Sequence, residues 1–146
     1  MQKIQVIDPH TGATPLRMEA LLFFLVFACL SATLSIGVSA IAAHGLLITA
    51  QDAQALAWAL DLQRFHALAL LVLVVLARQD GPTTWTLVAG ALFVAGTLLF
   101  SLNIELRLLF SMEYLRPLVP FGGMAWMAGW VALAIAGWRM RWGHRA

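Results

Sequence analysis

Charge is what this chain has least of: Asp, Glu, Lys and Arg make up 11% of its 146 residues, against about 25% in an ordinary water-soluble domain. A surface facing water needs polar side chains, so a shortfall of that size excludes a soluble globule and leaves lipid as the solvent. Cysteine is almost missing too. Cys29 stands alone in an apolar run, which excludes an intramolecular disulfide and any cysteine-based metal motif. There is no Gly-x-Ser-x-Gly elbow, no His-Glu-x-x-His pair and no phosphate loop, so the chain is expected not to be an enzyme and to take no cofactor. Internal repeats and low-complexity tracts are absent as well.

What is present is apolar. Hydrophobic residues reach 62% and the mean hydropathy is +0.86. One compact unit is expected at this length. Four spans of about 20 residues, each able to cross roughly 30 Å of hydrocarbon, leave room only for short loops and tails. A net charge of +2 and a pI near 9.3 do not make a nucleic-acid binder, because the basic residues are scattered and gather only at the termini, as the positive-inside rule requires.

Met1–Glu19 is polar and carries Pro9, Gly12 and Pro15, which predicts an irregular tail over residues 1–19. The first uncharged run, Ala20 to Ala43, exceeds the 7–15 residues of a signal-peptide core and predicts a span. Its Ser31, Ser35 and Ser39 recur every four residues and form a stripe suited to a neighbouring helix. Ala50–Asp61 mixes Gln51, Asp52, Gln54 and Asp61 with Leu56, Trp58 and Leu60. That pattern predicts an amphipathic turn-rich or helical segment at the interface, leading into a second span, about Leu62 to Ala77, whose helix starts early and passes through the interface before entering hydrocarbon. Gly81-Pro82 breaks the chain, and Thr83 or Thr84 can cap a third span, about Trp85 to Asn103. Ile104–Arg116 is mixed and reads as an interfacial loop or short helix. Pro117 and Pro120 precede the fourth span, about Phe121 to Trp138, where Ala125, Ala128, Gly129 and Ala132 offer a packing face. Residues 20–140 thus form the membrane domain and 141–146 a short tail. Lys3, Arg17, Arg78, Arg139, Arg141 and Arg145 fall on one side, and Arg64, Arg107 and Arg116 on the other. That bias predicts both termini in the cytoplasm.

An up-down bundle brings the end of span one, the start of span two, the end of span three and the start of span four to one membrane face. The unusual polar residues lie there: His44, Gln63, Arg64, His66, Ser101, Asn103 and Glu105, with Gly122 and Gly123. Polar groups at membrane depth mark either a site or a buried network. In the plain reading they hold helix ends together, with His44 bonded to Glu105 or loop carbonyls and Arg64 reaching lipid phosphates. In the sharper reading His44, His66 and Glu105 supply the three protein ligands of an open metal site, with Met112 or Met124 as a soft addition. No two of these stand at metal-motif spacing within one helix. A paired-histidine haem is disfavoured because His44 and His66 share one depth. Gly122-Gly123 suits close helix approach better than phosphate binding, and Trp138 and Trp142 suit an interfacial belt.

Four patches carry a resemblance: Ala43-His44-Gly45-Leu46; Gln63-Arg64-Phe65-His66-Ala67-Leu68-Ala69-Leu70; Leu99-Phe100-Ser101; and Pro120-Phe121-Gly122-Gly123 with Ala128-Gly129-Trp130. In order and spacing the chain resembles the domain-of-unknown-function 423 family, YgdD-like bacterial proteins related to eukaryotic transmembrane protein 256. The likeness covers about Phe24 to Arg141. It implies a four-span protein of the bacterial inner membrane and no particular activity. Where that family usually reads Gly-Ser-Leu-Tyr after the Phe-Ser pair, this chain has Leu102-Asn103-Ile104-Glu105.

The expectation is therefore an all-α membrane protein, a bundle of four transmembrane helices. It would act as a non-catalytic accessory or assembly subunit, with the bilayer and a membrane protein or a second copy as partners. The alternative is a transporter-like protein that binds a small molecule or metal at the His/Glu/Arg cluster.

Overall fold

The computed structural model describes residues 14–45 and 48–143. Lys3, Leu46, His144 and Arg145 lie outside the described residues, as does most of the expected N-terminal tail. Every regular element among the described residues is helical.

Helix α1 runs Pro15–Ala43 and so takes in five residues expected in the tail. Proline serves at the first helical position because the N–H it lacks would have no partner there, and Arg17 then anchors that end by donating to the Pro82 carbonyl at 2.6 Å. Helix α2 is a continuous Ala50–Asp80. The expected interfacial segment is its first third, since no proline or glycine interrupts the chain between Thr49 and Gly81. Thr49 caps it by accepting from the Asp52 N–H at 3.1 Å, and Gly81, at φ +84°, ends it. At 1.5 Å per residue its 31 residues make a rod of about 46 Å.

Thr83 caps α3, Thr84–Thr97. A π-helical turn, Leu98–Leu102, carries α3 without a break into α4, Asn103–Phe110. The mixed segment after Asn103 is thus a continuation of the third span rather than a separate loop. It stops at Ser111, whose φ of +58° is left-handed. A 3₁₀ turn, Glu113–Leu118, leads into α5, Val119–Gly143.

Four stretches are long and apolar enough to cross a membrane: Pro15–Ala43, Ala50–Asp80, Thr84–Phe110 and Glu113–Arg139. The chain is an all-α, four-span membrane protein. Its most extensive packings are α1 along α2 and α3 along α5, and α2 also meets α3 and α4. Leu21, Phe24, Ala28, Leu70, Leu73, Ala89, Phe93 and Trp126 fill the core. Large apolar side chains such as Leu30, Leu68, Val131 and Trp138 point outward, while Gln63, His66, Ser101 and Glu105 are buried. Such an inversion suits hydrocarbon as solvent.

Candidate functional site

Helix length decides where the polar residues sit. Because α2 begins at Ala50, Gln63, Arg64 and His66 occupy its middle and not its first turns. Sixteen residues of the same helix precede His66 on one side and fourteen follow on the other. The polar group therefore lies inside the bundle rather than at its rim.

Arg64 clamps α2 to α1. Its Nε–H donates to Ser35 Oγ at 3.3 Å and its Nη2 to the Ser35 carbonyl at 3.2 Å and to Ser39 Oγ. Its Nη1 pairs with Asp61 at 3.1 Å. The stripe of serines thus faces α2, with Ser35 fully buried. Hydrogen bonds from a charged donor are worth about 1.5–3 kcal/mol each, so this is the main polar fastening between the first two helices. Beside it on α2, Gln63 Nε2 donates to the Ser31 carbonyl at 3.2 Å.

His66 faces the other way, toward α3 and α5. Its ring stacks on Trp126 with centroids 4.1 Å apart and planes 1° from parallel, and it meets Phe93 at 5.6 Å. Nδ1 lies 2.8 Å from the Leu62 carbonyl, while Trp130 Nε1–H donates to Nε2 at 3.3 Å. A carbonyl can only accept and an indole can only donate, which places the proton on Nδ1. Both ring nitrogens are occupied, and the imidazole works as a packed ring between helices. The spacing of Trp126 and Trp130, four residues apart on one helix face, is the sequence signal for this pairing. Nothing in the sequence tied it to His66.

Ser101 sits in the π-helical turn and donates across to the Ala59 carbonyl of α2 at 2.7 Å. Asn103 donates to the Leu115 carbonyl at 2.8 Å and so ties α4 to the 3₁₀ turn. Above the π turn, Arg107 spans Asp52 and Glu113, each at 3.7 Å. Gly122 lets α5 touch the π turn itself: a Cβ there would lie 2.6 Å from the Phe100 backbone nitrogen. Gly123 faces open space. Trp126 likewise lies close against Gly96, where an added Cβ would come 2.3 Å from its ring.

Glu105 stands apart. It is 2% exposed, and neither carboxylate oxygen has a hydrogen-bond partner among the described residues. His44 is exposed where α1 ends, and Met124 points outward. Among the described residues no three His, Cys, Asp or Glu side chains come close enough together to hold a metal ion. The structure thus brings His66 to Trp126 and Trp130, Arg64 and Gln63 to α1, Ser101 to α2, and Gly122 to Phe100. It does not gather His44, His66 and Glu105 into one donor set.

The sequence has relatives among known proteins. The family described as "Protein of unknown function (DUF423)" matches residues 38–123. The chain is 32% identical to a UPF0382 membrane protein of Staphylococcus aureus (strain bovine RF122 / ET3-1), over 77% of this chain and 93% of the relative. It is 30% identical to the UPF0382 membrane protein YwdK of Bacillus subtilis (strain 168), over 77% and 94%. With the UPF0382 inner membrane protein YgdD of Escherichia coli (strain K12) it shares 30% identity over 82% and 92%. No solved structure matches the chain.

Proposed function

Since the chain belongs to the DUF423 family of membrane proteins of unknown function, we propose that it is a non-catalytic accessory or assembly subunit of the bacterial inner membrane, one that packs against a larger membrane protein or a second copy. The observation that carries this reading is where the polar side chains are used. Arg64, His66, Ser101 and Asn103 all bond to other parts of the same chain, so the polar interior acts as internal fastening. Outward, the helices offer broad apolar faces bearing Phe65, Met127, Trp130 and Val131, the kind of surface on which another membrane helix packs by shape.

The orientation has both termini in the cytoplasm. Arg17 meets Pro82 and Arg139 lies over Trp85, so these two arginines share one end of the bundle with Arg78, and an excess of Lys and Arg marks the cytoplasmic side.

Purification from native membranes in mild detergent tests the reading. A stoichiometric protein partner or a defined homo-oligomer is expected. A lone, partner-free bundle overturns it. The second reading, a transporter-like protein binding a metal or small molecule, rests on the unpartnered carboxylate of Glu105, since His44 and His66 do not join it in one donor set. A bound ion or molecule lost on Glu105→Ala supports it, and unchanged binding sinks it.

A further inference from the structure

At the corner where α1 gives way to α2, a cavity of about 320 Å³ is walled by Ile48, Leu56 and Leu60 and has Arg64 and Asp61 on its lining. Both charges are open to it. The Arg64 side chain is 39% exposed and that of Asp61 74%. Only one edge of the guanidinium is committed to α1, where Nε and Nη2 bond to Ser35 and Ser39. On the exposed edge Nη1 donates to Asp61 Oδ1 at 3.1 Å. An arginine carries two N–H bonds on each terminal nitrogen, so Nη1 keeps a second donor with no partner among the described residues, and Asp61 Oδ2 has none there either. The cavity thus presents one free donor on a cation beside one free acceptor on an anion.

Depth restricts the occupant. Ser39 stands one turn before the end of α1 at Ala43, and Ile48 lies between that end and the start of α2 at Ala50. Helical side chains lean toward the N-terminus of their own helix, so Arg64, although its Cα is mid-helix, carries its charge toward this corner. Trp58 and Leu62 on the adjoining turns are exposed, and the cavity therefore opens where acyl chains meet headgroups. The polar groups abundant at that depth belong to phospholipids. Among these a fixed pair of opposite charges discriminates. A net anion gains the Arg64 donor but meets the Asp61 carboxylate, and a choline head has no N–H to give that carboxylate. An ethanolamine head supplies both parts: a phosphate oxygen accepts from Arg64 Nη1 while the ammonium donates to Asp61 Oδ2, two charge-assisted bonds. The short two-carbon arm sets its charges side by side, as the Arg64–Asp61 pair is set, so the four charges alternate in sign. We propose that this corner binds the headgroup of phosphatidylethanolamine, phosphate on Arg64 and ammonium on Asp61, with its methylenes against Leu56 and Leu60.

The test uses the full-length protein, delipidated in detergent micelles and titrated with dioleoyl lipids that differ only in the headgroup, with the thermal unfolding midpoint followed against lipid mole fraction. Phosphatidylethanolamine, and its N,N-dimethyl form that keeps one ammonium N–H, are expected to raise the midpoint saturably. Both should act at about tenfold lower mole fraction than phosphatidylcholine, the value of one hydrogen bond to a charged group, and phosphatidylglycerol should do no better than phosphatidylcholine. Asp61→Asn, at an exposed position, should remove most of that preference and leave the response to phosphatidylcholine unchanged. Ala57→Phe, which fills the cavity from an exposed position on its wall, should abolish saturation. Equal action of the ethanolamine and choline lipids, a preference for phosphatidylglycerol, no effect of any lipid, or the full preference retained in either variant each overturns the proposal.

Discussion

Replacing His66 by phenylalanine and by alanine separates what its ring does from what its nitrogens do. The ring lies 4.1 Å from Trp126 in a parallel stack and touches Phe93, in a position 3% exposed. Phenylalanine keeps that shape. It leaves the Trp130 N–H without the acceptor it has at 3.3 Å, while the Leu62 carbonyl retains its place in the helical ladder. The loss is that of one orphaned donor, about 1–3 kcal/mol. Alanine removes the ring and opens a cavity between three helices, a change that costs about 3–5 kcal/mol for aromatic rings in packed cores. The unaltered protein should therefore be the most stable, His66→Phe less so and His66→Ala least, with roughly 2 kcal/mol between the two variants. The assay is reversible denaturation in mixed micelles, read by circular dichroism so that altered tryptophan emission does not enter. A double-mutant cycle with Trp126→Leu should return a coupling of about 0.5–1.5 kcal/mol for the stack. If His66→Phe is as damaging as His66→Ala, the nitrogens matter more than the packing and the structural account of this residue fails.

Four further substitutions use the same titration. Glu105→Leu should stabilise the protein by about 1–3 kcal/mol, because it removes a buried carboxyl without a partner; a loss of stability would reveal a partner for that side chain. Gly122→Val forces a side chain into the Phe100 backbone and should cost at least about 1–3 kcal/mol, while Gly123→Ala, which meets open space, should stay within about 0.5 kcal/mol; similar costs at both positions would refute the close approach. Arg64→Met keeps the apolar stem and removes the donors to Ser35 and Ser39, with an expected loss of about 1.5–3 kcal/mol; a neutral result would mean that α1 and α2 are held together by packing alone.

The four spans and their all-helical character could be read from hydropathy because lipid imposes so simple a rule on composition. Their ends were harder. Asp52, Gln54 and Asp61 marked the start of α2 as interfacial and put the beginning of the second span near Leu62, with Arg64 and His66 in its first turns, yet a helix stops only where something stops it, and nothing does between Ala50 and Gly81. Glu105 and Arg107 likewise left the start of the mixed segment open between a loop and a short helix; it is the helix α4, continuous with the third span, and no glycine or proline lies between Gly96 and Pro117. That boundary error displaced the polar residues from the middle of the bundle to its rim. The serine stripe was legible from its spacing of four. The partner of His66 was not, because a stack between α2 and α5 joins residues 60 positions apart, and no local pattern in either helix points to the other.

The pairing of α1 with α2 and of α3 with α5 also bears on how the chain is made. The first pair is complete once Asp80 has been synthesised, and its bonds from Arg64 and Gln63 to α1 need nothing that comes later. What that first hairpin leaves open is one side of α2, where the Ala59 carbonyl waits for Ser101 and the free nitrogen of His66 waits for Trp130. A newborn chain entering the bilayer can therefore close its first half early, but the imidazole acquires its second partner only when the last helix has been inserted.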